Sequence, residues 1–137
     1  MLKRGYFRQI LAEAEAEVEG ISPKDASSLL VDPNTVFVDV RDIRELQRDG
    51  YIPGAFHAPR GMLEFWIDPD SPYHKPIFAT GKSFVFYCAL DWRATLSAQL
   101  AKRMGLAPVR HLEGGLKAWR EAGCAIEPYV RESASKD

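Results

Sequence analysis

Residues 82–105 read KSFVFYCALDWRATLSAQLAKRMG, and the join inside that stretch decides the architecture. Phe84, Val85, Phe86 and Tyr87 are aromatic or β-branched, the composition of a central strand buried on both faces. Beyond Cys88 the pattern changes: from Thr95 onward Leu96, Leu100 and Met104 recur at helical spacing, Ala94, Ala98 and Ala101 keep the helix slim, and Gly105 stops it. The chain therefore passes from a buried strand, through a short loop, into a helix. Cys88 stands at the carboxyl end of the strand and just ahead of the helix N-terminus, where free backbone N–H groups and the macrodipole stabilise an anion such as a thiolate. Its alternative is a small buried hydrophobe at a strand end.

Working outward, the pattern alternates helices with short strands. Residues 5–19 carry strong helix formers with Phe7, Ile10, Leu11 and Ala14 on one face. Ile21 follows as a short edge strand. Ser22-Pro23 then reads as an N-cap with proline at the first helical position, opening a helix through Leu30. Val36 to Val40 is a second buried strand, Arg41 and Asp42 open a brief helix that closes at Gly50, and Phe56 to Ala58 is a short returning strand. Residues 60–68 predict a helix whose Met62, Phe65 and Trp66 belong to the core or wall an apolar pocket. The Pro-, Asp- and Ser-rich segment 69–76, with Tyr73 and His74, is expected as a loop rimming a pocket. Val109 to Leu112 reads as a last strand, and Gly114-Gly115 as a close turn into a helix carrying Leu116 and Trp119. This order predicts an α/β domain with a mainly parallel sheet flanked by helices on both faces, its ligand beyond the carboxyl ends of the strands.

Composition narrows the function. The 137 residues fit one domain, expected over 20–128, with a helical extension over 1–19 and a tail over 129–137. A formal net charge of -1 gives no reason to expect nucleic acid or an anionic membrane as partner. No apolar run reaches the roughly 20 residues of a membrane-spanning helix, and the N-terminus shows no signal-peptide core, which leads to the expectation of a cytoplasmic protein. Cys88 and Cys124 have no zinc-ligand or CxxC spacing, so both are expected as free thiols, Cys124 in the core. His57 and His111 fall in strands and read as structural, and His74 as an exposed loop residue.

Four stretches together resemble the rhodanese-like, or sulfurtransferase, family as a single-domain member over roughly residues 20–127. They are Val38-Asp39-Val40-Arg41; Gly50-Tyr51-Ile52-Pro53-Gly54-Ala55, with Tyr51 where the family usually has histidine; Cys88-Ala89-Leu90-Asp91-Trp92-Arg93; and Leu112-Glu113-Gly114-Gly115 with Ala118-Trp119. The resemblance implies that Cys88 takes a sulfane sulfur from a small anionic donor, thiosulfate or a persulfide, and passes it to a thiophilic acceptor. It implies that the loop backbone from Ala89 to Ala94, through Leu90, Asp91 and Trp92, binds the anion, with Arg93 orienting the donor. Neither metal nor cofactor is called for. Arg60 either adds positive charge at the same edge or is solvated.

Loop length separates the chemistries the family fold hosts. Four residues stand between Cys88 and Arg93, whereas phosphatases that use a cysteine have five, room for a tetrahedral phosphate. The loop departs from the commoner pattern at Asp91, where glycine is frequent. A carboxylate there opposes a thiolate unless it points outward or pairs with Arg93. Trp92 either sits at the mouth, able to meet an organic thiol or a partner protein, or packs under the loop. A non-catalytic, protein-binding module is the alternative to an enzyme, and an uncovered Phe7, Ile10 and Leu11 face would offer a homodimer contact.

Overall fold

The two most apolar runs of the chain become neighbouring strands at the centre of one sheet. In a computed structural model describing residues 1–130, β1 (Glu19–Ile21), β2 (Thr35–Asp39), β3 (Phe56–His57), β4 (Ser83–Tyr87) and β5 (Val109–Leu112) lie in the order β1-β5-β4-β2-β3. All four pairings are parallel. Of the expected tail, residues 131–137 lie outside the described residues; Tyr129 packs edge-on against Tyr51, ring centroids 5.1 Å apart.

Six helices cover the sheet: α1 (Tyr6–Glu17), α2 (Pro23–Ser27), α3 (Ile43–Asp49), α4 (Leu63–Ile67), α5 (Trp92–Arg103) and α6 (Gly115–Glu121). Successive side chains of β4 point to opposite faces, and that alternation sorts the core. Phe84, Phe86 and Cys88 join Leu63 and Ile67 of α4 and the alanines of α5, whereas Val85 and Tyr87 join Ala26 of α2 and Leu116 and Trp119 of α6. Each large side chain so buried contributes about 1.5–3 kcal/mol, which is why β4 is central and the polar strand β1 is at the edge. The expected three-layer α/β fold is the one observed.

Several boundaries differ from expectation for local reasons. The helix from Ser22 stops at Ser27, not Leu30, because the Ser28 hydroxyl turns back to donate to Asp25 O at 2.7 Å and turns follow. Residues 60–68 form a 3-10 turn, Arg60–Met62, and then the short α4, with Leu63 and Ile67 buried, Phe65 exposed and Trp66 half-buried against Phe56. Helix α5 begins three residues earlier than its periodicity indicates, at Trp92.

Segment 69–76 borders a cavity whose place follows from the topology. Pro69 and His74 border a cavity shared with Lys82, Phe84, Gly105 and Leu106, at the amino end of β4, the opposite end of the strand from Cys88. A crossover between parallel strands must return the chain from the carboxyl end of β3 to the amino end of β4. Segment 69–76 is that return, so it does not overhang the cysteine. Helix α1 packs along α5 with Leu11 and Ala14 buried, and Arg103 pairs with Glu17 at 2.8 Å. The face proposed for a dimer contact is thus largely covered from within the chain, and only its Phe7 end stays exposed.

Candidate active site

Cys88 leaves β4 on the face that α5 covers and is 1% exposed. Its Sγ accepts two backbone hydrogen bonds, from Asp91 N at 3.1 Å and from Ala94 N at 3.3 Å, so the loop closes around the sulfur. Both donors belong to the start of α5, whose first N–H groups have no partner within the helix. The reverse side of the loop is fixed as well: Cys88 O and Ala89 O accept from Leu116 N at 2.8 Å and Lys117 N at 3.1 Å, in the first turn of α6. With those carbonyls held by α6, the peptide planes of the loop have little freedom to turn. Gly115 permits the approach, because a Cβ there would lie 2.6 Å from Ala89 O and 2.7 Å from Cys88 O, and its φ is +64°.

The charged side chains of the loop are each engaged. Arg93 donates from both terminal nitrogens to the Glu45 carboxylate, at 2.7 and 3.0 Å. This bond raises the guanidinium above its ordinary value and holds the Glu45 carboxyl below the usual range. Arg93 therefore does not pair with Asp91. Among the described residues its Nε–H and the second N–H of each terminal nitrogen make no hydrogen bond, and Glu45 offsets its charge. Asp91 instead meets His111, whose Nδ1 lies 2.9 Å from both carboxylate oxygens, and accepts from Thr95 Oγ1 at 3.0 Å. Asp91 also adopts φ 98°, the reason glycine suits this position.

Trp92 does not pack under the loop. It is 60% exposed and Leu90 61%, and the Trp92 ring leans on Phe7 of α1 with centroids 5.3 Å apart. Cys88, Ala89, Leu90, Trp92 and Arg93 line a pocket of about 310 Å³. Arg60 does not line it: its backbone N donates to Val40 O beyond β2, and its side chain is exposed.

Behind the loop lies a buried frame. Arg41 bonds Asp39 through Nε and the terminal nitrogen, the latter at 2.7 Å, and reaches Gly50 O at 2.7 Å, with both side chains 1% exposed. Burial would lower the guanidinium, yet the Asp39 carboxylate holds it above its ordinary value. The Tyr87 hydroxyl accepts from Ile52 N at 3.0 Å, tying the Pro53-Gly54 turn to the central strand. His57 Nε2 bonds Arg41 O at 2.7 Å. These residues are structural supports, as is His57.

Sequence reasoning overlooked Glu45 and the link from His111 to the loop. Glu45 had a local signal: with Asp42 as N-cap it completes a capping box at the start of α3. That spacing places it on the first turn after β2, facing the first turn after β4. No local signal marks His111, which is brought to Asp91 by sheet register alone.

The family model for the Rhodanese-like domain matches residues 22–122 of this parallel-sheet chain. The chain belongs to the rhodanese-like domain family. A thiosulfate:glutathione sulfurtransferase from Homo sapiens is 28% identical over 74% of this chain and 92% of its own. A solved structure from Rhodopseudomonas palustris, of unknown function and described as a possible tyrosine phosphatase, is 52% identical with a TM-score of 0.89, covering 93% of this chain and 97% of that one. The polysulfide-sulfur transferase homodimer from Wolinella succinogenes has a TM-score of 0.70 at 28% identity, over 92% and 90% of the two chains. Against two cyanobacterial relatives the chain spans about half of the partner's length. Among the described residues, no helix is long and apolar enough to cross a membrane.

Proposed function

We propose that this protein is a sulfurtransferase in which Cys88 carries the sulfane sulfur. The observation that supports it most is the sulfur's seat between the N–H groups of Asp91 and Ala94, 3.1 and 3.3 Å away, at the head of α5. Such donors stabilise the attacking thiolate and then the anionic terminal sulfur of a persulfide. In the first half-reaction the Cys88 thiolate attacks the outer sulfur of the donor; the S–S bond within the donor breaks, and sulfite or a thiolate leaves with the electron pair. An acceptor thiolate then attacks the terminal sulfur, and Cys88 leaves as thiolate. The remaining donors of Arg93 orient an anionic leaving group, with Glu45 fixing the plane of the fork.

Incubation with thiosulfate or a low-molecular-weight persulfide, followed by mass spectrometry, tests the reading. Cys88 is expected to gain about 32 Da, one sulfur atom, and Cys88→Ser to gain none at that position. Absence of the adduct with every donor overturns the proposal. The exposed Leu90, Trp92 and Phe7 support a second reading, a protein-binding module without turnover, which predicts equal partner binding by wild type and Cys88→Ser and no sulfur transfer by either. Cysteine phosphatase chemistry is disfavoured by the four-residue spacing to Arg93, and a Cys88-dependent rate on aryl phosphates would reverse that judgement.

A further inference from the structure

We propose that His111 is a positioning residue for Cys88: by gripping the Asp91 carboxylate it keeps residue 91 in the left-handed conformation that aims the Asp91 N–H at the sulfur, and it commits the carboxylate's charge away from that sulfur. This rests on the reading that Cys88 is the reactive group of the site.

Asp91 is the one non-glycine residue with positive φ among the described residues, at 98°. An L side chain persists there only when its surroundings over-determine it. Three contacts supply the constraint. His111 Nδ1 stands 2.9 Å from Oδ1 and from Oδ2, Thr95 Oγ1 donates to Oδ1 at 3.0 Å, and Thr95 N bonds Asp91 O at 2.8 Å. A carboxylate only accepts, so Nδ1 carries the proton of this bond. The histidine is itself held in place by its surroundings: its side chain is 8% exposed, and β5 pairs with β4 on one side and β1 on the other. The sheet thus dictates, through His111, where the loop's first N–H donor points.

Freeing the carboxylate would have two effects. Residue 91 would relax from positive φ and withdraw its N–H, and a mobile negative charge would stand beside the thiolate and any anionic reagent. Glycine at 91 needs no grip and carries no charge, so it separates the two.

The test is alkylation at the Cys88 peptide by iodoacetate, which is anionic, and iodoacetamide, which is neutral, using the full chain. His111→Leu is expected to lower the iodoacetate-to-iodoacetamide rate ratio about fivefold, the effect of the freed Asp91 charge about 4 Å from the reagent in a water-like dielectric. His111→Asn, whose amide nitrogen falls near the place of Nδ1, is expected to restore the ratio to within about twofold of wild type. Adding His111→Leu to Asp91→Gly is expected to move the ratio by less than about twofold from that of Asp91→Gly alone. An unchanged ratio in His111→Leu, or an equal fall in the Asp91→Gly background, overturns the proposal. Should His111→Leu fail to fold, the loop variants decide: Asp91→Ala must react several-fold more slowly than Asp91→Gly with both reagents, and equal rates refute the role. Alkylation needs no sulfur donor, so failure to form a persulfide with this alkylation pattern intact would sink the sulfur-transfer reading while leaving the positioning role.

Discussion

Replacing Gly115 by alanine places one methyl group at the tightest backbone crossing of the site. The new Cβ would meet Ala89 O at 2.6 Å, Ala89 C at 2.7 Å and Cys88 O at 2.7 Å, all of them backbone atoms that cannot rotate aside. Either α6 or the Cys88-Ala89 segment has to retreat, and the bonds from Leu116 N and Lys117 N, at 2.8 and 3.1 Å, stretch with it. Overpacking of this kind costs about 1–3 kcal/mol, each hydrogen bond weakened costs up to about 1 kcal/mol, and the φ of +64° adds about 1 kcal/mol for a residue with a Cβ. These contributions overlap, so about 3–4 kcal/mol is the expected loss. Gly54 provides the control: its φ is +78° and nothing lies within 4 Å of a Cβ built on it, so Gly54→Ala carries only the conformational cost of about 1 kcal/mol. Urea unfolding of both variants at neutral pH measures the difference, expected as about 2–3 kcal/mol and as a lower Tm for Gly115→Ala by several degrees. Cys88 alkylation in the folded variant should slow as well, since the carbonyls that α6 holds set the orientation of the loop. If Gly115→Ala loses no more stability than Gly54→Ala, the close approach does not constrain the loop and the account of its rigidity is wrong.

Two further outcomes follow from the supports of the site. Tyr87→Phe leaves the Ile52 N–H buried without its partner at 3.0 Å, so denaturant unfolding should show a loss of about 1–3 kcal/mol; a loss below about 0.5 kcal/mol would mean that this bond contributes little. Glu45 has a folded-state value held down chiefly by Arg93, so its stabilisation is full above the unfolded carboxyl range and fades as pH falls through the lower folded value. Glu45→Gln should therefore cost about 1 kcal/mol or less near neutral pH, because the pair is solvent-reached, and should flatten the acid side of the stability profile. Parallel acid limbs for the variant and wild type in a pH series of urea midpoints would refute the link.

The legible parts of this fold were those encoded by short-range composition. Phe84 to Tyr87 declared a doubly buried strand because no polar side chain interrupts it, and Ser22-Pro23 declared a helix start because capping is a contact within three residues. Cys88 was legible as the start of a short loop for the same reason, although α5 already begins at Trp92. What each side chain in the loop touches was not legible, since the partners come from elsewhere: Glu45 from the helix after β2, His111 from β5, Phe7 from the N-terminal helix. The position of the rim was not legible for the same reason. Proline, aspartate and serine in 69–76 announce a loop but not the end of the sheet at which it lies; that follows from the direction in which a parallel crossover must run.

Those long-range partners change the electrostatic character of the pocket. Arg93 viewed alone is a cation waiting for an oxyanion, and Asp91 alone is a carboxylate hostile to a thiolate. Arg93 is paired with Glu45, and the Asp91 carboxylate is held by hydrogen bonds from His111 and Thr95. The sulfur is left to be stabilised by dipoles: the N–H groups of Asp91 and Ala94 and the start of α5. Dipoles of this kind act over a few ångströms and are little weakened by dissolved salt, unlike a net charge at a pocket mouth. They also fit the proposed sulfur carrier, because fixed N–H dipoles stabilise a sulfur anion without adding net charge to the loop. Leu90 and Trp92 form an exposed apolar mouth to that centre.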